Sequence, residues 1–466
     1  MSTTITPAEA ARRELGTAFE GELIAPPDPG YDEARTLFNA MIDKRPAVIA
    51  RCARPEDVAS VIAFAGKHDL PLAVRGGGHN GGGLGSVDDG VVADLSLMRS
   101  VSVDPGSRTV RVGGGCTWGE VDAATHEHGL AVPCGVIANT GVGGLTLGGG
   151  IGHLTRGYGL TIDNLLGAEV VLADGQRVRA SAGENEDLFW ALRGGGGNFG
   201  VVTEFTFRAH PVSDVVGGPT FWPIEQTAEV MAAYREFLPT LPRNASGFFC
   251  FHTVPPGPPF PEEIHMRLVC GIVWCIVGSD EEAERAMAPM LAVGTPLMHG
   301  VGRMPLPAMN SAFDGLYGPG DQWYWRADFV NEIPDEAIAR NAEWNARMPS
   351  WKSGSHLYPI DGAAHDVGPD ETPWAYRDTR WAQVMVGVDA DPASAPALRD
   401  WTIGYWEALH PYSAGGAYVN FMMDEGQARV KATYGANYDR LARVKAAYDP
   451  TNRFRVNQNL RPGGSS

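Results

Sequence analysis

Two glycine runs constrain this chain more than anything else in it: Arg75-Gly-Gly-Gly-His-Asn-Gly-Gly-Gly-Leu-Gly85 and Thr140-Gly-Val-Gly-Gly-Leu-Thr-Leu-Gly-Gly-Gly-Ile-Gly152. Glycine has no Cβ, so the backbone reaches positive φ and approaches a ligand closely. Successive N–H groups then turn inward and can bind a diphosphate. Both runs suit a nucleotide cofactor. The spacing G-x-G-x-x-G occurs at Gly76, Gly78 and Gly81, and again at Gly195, Gly197 and Gly200. A dinucleotide fingerprint of the Rossmann kind needs a strand before it and a helix immediately after. Here the first run leads into a strand expected at Val91 to Leu95, and the last follows a helix expected at Glu186 to Leu192, so that reading is rejected. No P-loop or G-x-S-x-G elbow is present. His79 is the one bulky nucleophilic side chain in a loop otherwise stripped of side chains. On the loop alone it is either a turn residue facing water or a reactive group.

Around these runs strands and helices alternate. Pro46 to Cys52, Pro71 to Val74 and Val91 to Leu95 read as strands, and Val101 to Gly113 reads as a hairpin about Asp104-Pro-Gly-Ser. Pro55 opens a helix with Val58, Ile62 and Ala65 on one face. Val201 to Arg208 alternates with the period of a half-buried strand. Glycine concentrates in the first 200 residues, whereas ten of the twelve tryptophans follow residue 215, which divides the chain into regions with different tasks. The formal charge of −18 argues against attraction to nucleic acid or anionic membrane, since both need a dense basic surface. No signal peptide or membrane span is legible, so a cytoplasmic protein is expected. The six cysteines form no C-x-x-C pair and no zinc spacing, so no metal is expected. Cys270 and Cys275 read as part of one buried strand.

The motifs R-G-G-G-H-N from Arg75, G-G-G-C-T-W-G-E-V-D from Gly113, T-G-V-G-G-L-T-L-G-G-G-I-G from Thr140, Y-G-L-T-I-D-N-L-L-G-A-E-V-V-L-A-D-G from Tyr158 and D-L-F-W-A-L-R-G-G-G-G-N-F-G-V-V-T from Asp187 resemble the berberine-bridge-enzyme-like FAD-linked oxidases. So does the C-terminal stretch from Tyr434 to Asn459. The match is dense over residues 40 to 210 and 415 to 460 and weak between, and five ordered motifs are far more specific than any one glycine pattern. The resemblance implies an α+β chain: a two-part PCMH-type FAD-binding domain over 1–216, a substrate domain over 217–412 with an antiparallel sheet over the flavin, and a segment, 413–466, returning to the first. It implies FAD bonded through His79 to its 8α-methyl. Further cofactor contacts are expected from Arg75, Gly76, Gly77, Gly78, Asn80, Gly81, Thr140, Gly141, Gly143, Gly144, Gly148, Gly149, Gly152, His153, Val202, Asn457 and Asn459. Many members carry a second link from a cysteine, and Cys134 invites that role. Counting back from Gly152, however, the family's cysteine falls at Ile137, and three residues of extended chain span about 10 Å. One covalent bond is therefore expected, as in monocovalent members, with Cys134 kept as the less favoured second link.

The resemblance implies an oxidase that takes a hydride from an alcohol or amine carbon of a small organic substrate and reduces O₂ to H₂O₂. A dehydrogenase with another acceptor and an inactive flavoprotein are the alternatives. In the resembling oxidases a Tyr-x-Asn at this position faces the flavin, which implies a catalytic role for Tyr418 and Asn420; read as a strand, the segment puts both on one face. A phenol with its ordinary pKa near 10 needs a cationic neighbour or a tyrosine or carboxylate partner to act as base at neutral pH; Tyr324, Tyr358 and Asp361 are candidates. Trp323, Trp325, Trp374 and Trp381 are candidates for a pocket wall or for core packing. The sequence leaves substrate identity and oligomeric state open.

Overall fold

Proline at the first helical position, where no N–H partner is needed, starts the helix Pro55–Lys67, which buries Val58, Ile62 and Ala65 as the periodicity predicts. In the computed structural model, which describes residues 5–463, this helix packs on a four-stranded sheet ordered Glu22–Ile24, Val48–Arg51, Val91–Asp94, Leu72–Arg75. Val91–Asp94 is parallel to both of its neighbours. Parallel strands need both faces covered, and their residues are apolar without alternation for that reason.

The hairpin expected at Val101 to Gly113 is present as Val101–Asp104 and Thr109–Gly113, with Asp104 Oδ1 accepting from the Gly106 amide at 2.9 Å. It joins Val201–Arg208, Leu165–Val171 and Arg177–Ser181 in a second, five-stranded antiparallel sheet. The first glycine run leaves the end of Leu72–Arg75. Its root is braced by Arg75, whose Nη2 lies 2.7 Å from Asp94 Oδ2 on the adjacent strand, both side chains buried.

The third sheet has eight strands and contains Asp214–Pro223, Ala245–Thr253, Leu268–Ile276, Gln322–Val330, Gly354–Pro359 and Trp381–Asp389. Asp214–Pro223 crosses the expected boundary at 217 and lies wholly in this sheet. Cys270 and Cys275 sit on Leu268–Ile276 as expected, with the opposite orientations that a two-residue period dictates. One face, with Phe249, Phe251, Trp274, Leu357 and Met385, packs under the helices Thr227–Phe237, Asp280–Leu291, Asp335–Asn345 and Ala395–Leu409. The other face, with Trp323, Trp325, Phe248, Tyr358 and Val384, turns toward the glycine runs. Asn39 ties the two parts: its amide donates to the carbonyls of Gly81 at 2.8 Å and Trp323 at 2.9 Å.

Beyond Trp381–Asp389 the described residues form helices and turns, without the strand expected to carry Tyr418 and Asn420. Tyr418 directly precedes, and Asn420 lies within, a short 3₁₀ turn, Val419–Phe421; the backbone pairing with Gln322–Val330 stops before it, at Ala414 and Gly416, which bond to Phe329. The helix Tyr438–Tyr448 is pinned by the fully buried Lys445, whose ammonium reaches Asp449 at 2.6 Å, the Asn198 carbonyl at 2.7 Å and the Phe454 carbonyl at 3.0 Å. No helix among the described residues is long and apolar enough to cross a membrane.

Candidate functional site

The glycine runs meet backbone to backbone. A Cβ placed on Gly77 would lie 2.6 Å from the Gly141 nitrogen, and one on Gly141 would lie 2.4 Å from the Gly77 nitrogen; no L side chain fits at either position. Beside this contact opens a cavity of ≈ 320 Å³ walled by both runs, by Gly196 to Asn198 and Gly200 to Val202, by the inner face of the large sheet, and by the C-terminal segment.

Of the expected cofactor contacts, Arg75, Gly76, Gly77, Gly78, His79, Asn80, Thr140, Gly141, Gly143, Gly144, Val202 and Asn457 line this cavity. Gly81, Gly148, Gly149, Gly152, His153 and Asn459 do not, and the glycines among them show why. Their missing side chains make room for protein: a Cβ would meet Trp325 at 2.4 Å from Gly81, Asn420 Oδ1 at 2.1 Å from Gly148, Trp374 at 2.4 Å from Gly149 and the Cys134 carbonyl at 1.7 Å from Gly152. His153 is buried against Phe248, ring centroids 5.9 Å apart. A glycine pattern does not distinguish the two uses.

His79 stacks on Phe38 with centroids 3.8 Å apart, and its Nε2 is buried without a hydrogen-bond partner. Burial holds the imidazole down to about 4, so at neutral pH it is the uncharged, nucleophilic form. Asn457 donates to the carbonyls of Gly197 and Phe454 while its Oδ1, also buried, has no partner. A wall of backbone stripped of side chains that also carries His79 and Asn457, each with a buried polar atom left without a partner, fits FAD.

Cys134 turns the other way. Its Sγ lies 3.8 Å from Asp122 Oδ1 and 3.3 Å from Asn310 Nδ2, in the core, while Gly135, Val136 and Ile137 form the wall. Burial raises the thiol well above its ordinary range and lifts Asp122 to about 7. The register that put Ile137 where a linking cysteine would stand agrees with this placement.

Tyr418 and Asn420 do meet on the cavity wall, although through a turn. The Tyr418 hydroxyl oxygen accepts from Asn420 Nδ2 at 2.7 Å and from the Gly150 amide at 3.0 Å. Both lone pairs are engaged, which leaves the phenol proton to be donated into the cavity. The charged partner looked for is not among its contacts: Trp374 and Phe421 flank the ring, and burial pushes the phenol up to about 12 despite the N–H donors. Of the three candidate partners, only Tyr358 lines the cavity. Tyr324 faces Arg326 on the opposite side of the sheet, and Asp361 is held by Arg156 at 2.7 Å. Trp323 and Trp325 form part of the wall, Trp374 stands behind Gly149, and Trp381 packs in the other core.

Sequence reasoning assigned nothing to Tyr317, His252 or His356, which the sheet brings together with Tyr358. The Tyr358 hydroxyl lies 2.7 Å from His356 Nδ1, His356 Nε2 lies 2.7 Å from His252 Nε2, and His252 Nδ1 lies 3.3 Å from the Tyr317 hydroxyl. Only the alternation His356, Leu357, Tyr358 hinted at a shared face. The glycines of 195–200, set aside with the Rossmann pattern, also reach the wall through Gly196, Gly197 and Gly200.

Comparison with known proteins was consistent with this geometry. Residues 46–181 match the FAD binding domain family and residues 417–461 the family described as berberine and berberine like. An uncharacterised FAD-linked oxidoreductase, YgaK of Bacillus subtilis (strain 168), is 32% identical over 96% of this chain and 98% of its own. (R)-6-hydroxynicotine oxidase of Paenarthrobacter nicotinovorans is 31% identical over 96% and 98%. The crystal structure of 6-hydroxy-D-nicotine oxidase from Arthrobacter nicotinovorans superposes with a TM-score of 0.85 at 26% identity, covering 99% of this chain and all of that one.

Proposed function

The chain belongs to the berberine-bridge-enzyme-like FAD-linked oxidoreductases, and on that premise we propose an oxidase that carries FAD on one covalent bond, through His79, and oxidises the alcohol or uncharged amine carbon of a small organic molecule with release of H₂O₂. The observation that carries this reading is His79 on the cavity wall, an uncharged imidazole whose buried Nε2 has no partner. FAD, when bound, supplies the two-electron acceptor. The cavity-lining glycines of both runs and Asn457 would hold it. Tyr418, fixed by Asn420 and the Gly150 amide, donates a hydrogen bond to the oxygen of an alcohol substrate and so orients it. Among the described residues on the wall the one charged side chain is Arg75, already committed to Asp94, so an ionic substrate would have no counter-charge and would be desolvated at a cost of several kcal/mol or more. The aromatic side chains Trp323, Trp325 and Tyr358 suit a planar or apolar one.

The test begins with acid precipitation of the purified protein. A yellow pellet is expected, colourless after His79→Ala and still yellow after Cys134→Ala. Free FAD in the supernatant of the parent protein would remove the covalent bond from the reading. Peroxide is then measured in air with benzylic and allylic alcohols, 6-hydroxynicotine, glucose and xylobiose. Flavin that is bleached by a substrate but not reoxidised by O₂ would mark a dehydrogenase instead.

A further inference from the structure

An alcohol gives up its hydroxyl proton as its carbon is oxidised, and Tyr418 is poorly placed to take it, because its hydroxyl oxygen already accepts two hydrogen bonds and no charged group stabilises a phenolate. The large sheet supplies another route. His356 and Tyr358 share one face of the strand Gly354–Pro359, and Ala245–Thr253 pairs with that strand so that Cys250 opposes His356, which sets His252 diagonally beside it. Tyr317 arrives from the turn segment before Gln322–Val330. The four side chains form one unbranched hydrogen-bonded chain; its end residues Tyr358 and Tyr317 line the cavity, as does His356, while His252 lies behind them. One end is beside Phe421, next to Tyr418, with centroids 5.9 Å and 4.8 Å apart. The other end leads through Trp323 and Phe38 to His79.

We propose that the chain Tyr358, His356, His252, Tyr317 carries the substrate's hydroxyl proton from the Tyr418 end of the cavity to the His79 end. This rests on the alcohol-oxidase reading above. Two neutral imidazoles whose Nε2 atoms face each other must share a single proton, so one donates and the other accepts. In the starting polarity Tyr358 donates to His356 Nδ1, His356 Nε2–H donates to His252 Nε2, His252 Nδ1–H donates to Tyr317, and Tyr317 points its own proton into the cavity. A proton arriving on the Tyr358 oxygen displaces each of these by one bond. Tyr358 passes its first proton to His356 Nδ1, His356 passes its Nε2 proton to His252, His252 passes its Nδ1 proton to Tyr317, and Tyr317 releases one to a cavity water. One proton enters and one leaves, no electrons move, and no residue keeps a charge.

That neutrality is required by the surroundings. Phe248 and Phe313 pack around the histidines at centroid distances of 5.3 to 6.2 Å, and a lone buried charge there would be costly. Burial holds His252 down to about 4 and His356 well below the usual range, the latter also through its neighbour. Tyr317 and Tyr358 are raised by the same desolvation. A passive polar core would need its bonds satisfied but would have no reason to run from one cavity-lining tyrosine to another.

Two measurements test the relay. In holoprotein labelled with ¹⁵N-histidine, NMR at pH 7 is expected to find His252 and His356 both neutral, with one Nε2 protonated, the other bare, and a scalar coupling between them across the hydrogen bond. A cationic ring or an absent coupling overturns the proposal, and no substrate is needed. The second follows anaerobic flavin bleaching by the benzylic and allylic alcohols. His252→Gln, which has no atom on the wall, is expected to slow bleaching at least about tenfold, to leave the substrate's Kd unchanged, and to turn a bowed proton inventory in H₂O/D₂O mixtures into a straight one. Unchanged bleaching in this variant, or a straight inventory in the parent, overturns it. Should His252→Gln fold poorly, Tyr317→Phe removes the exit oxygen and carries the same expectations for bleaching rate and proton inventory. If none of the alcohols bleaches the flavin, the alcohol reading fails, while the NMR result still decides whether the chain exists.

Discussion

Gly77 and Gly144 separate two reasons for a glycine in a cofactor loop. An alanine Cβ at Gly77 would stand 2.6 Å from the Gly141 nitrogen and 2.7 Å from its Cα, and the obstruction is backbone, which cannot rotate aside. The runs would have to part by roughly 0.8 Å to reach ordinary contact, and overpacking of this kind costs about 1–3 kcal/mol. At Gly144, within the helix Val142–Leu147, a Cβ meets nothing within 4 Å, yet the residue lines the cavity. Gly144→Ala should therefore stabilise the flavin-free protein by about 1 kcal/mol through helix propensity while intruding on bound FAD. An intrusion of about 1–3 kcal/mol weakens FAD binding by roughly 5- to 150-fold. The assay uses the His79→Ala background, where FAD is held without a bond: Kd by flavin fluorescence quenching, stability by urea unfolding of the stripped protein. Gly77→Ala should lose stability and affinity together, and Gly144→Ala should gain the first and lose the second. If Gly144→Ala binds FAD as tightly as its parent, the glycine is not there to make room for a cofactor and the placement of FAD against that wall is wrong.

Tyr418→Phe should slow flavin reduction by about 10²- to 10³-fold, the usual effect of deleting one preorganised donor, and because burial pushes the hydroxyl up to about 12 the parent's rate should show no rise from Tyr418 ionisation between pH 6 and 10; a steep rise there would restore it as a base. Asp122, whose folded value is lifted from 3.8 to about 7 by burial, binds a proton more tightly folded than unfolded. Its contribution is complete below pH 4 and is lost as pH rises to 7, at up to about 1.4 kcal/mol per pH unit; urea unfolding should show that slope flattened in Asp122→Asn. Lys445→Met leaves Asp449 buried without its counter-charge and should cost about 3–5 kcal/mol, whereas a loss under 1 kcal/mol would mean that the pair does not pin the C-terminal segment.

The strands flanking the first glycine run, the helix after Pro55 and the strand Val201–Arg208 were legible because their determinants are local: a proline at a first turn, a two-residue alternation, an Asp-Pro-Gly-Ser turn. His79 stood out for the opposite reason, as one nucleophilic side chain in a run of glycines, and motif order pointed to a flavin. Tertiary structure decided which glycines face the cavity and which make room for Trp325, Asn420, Trp374 or the Cys134 carbonyl, since a missing Cβ looks the same in both cases. It also moved Tyr418 from a strand to a turn and removed the charged partner its basicity needed. His252, His356, Tyr358 and Tyr317 come from three separated stretches, and only the register of two antiparallel strands puts two imidazoles 2.7 Å apart. No local pattern encodes that register, because it is set by the packing of the whole sheet between two cores.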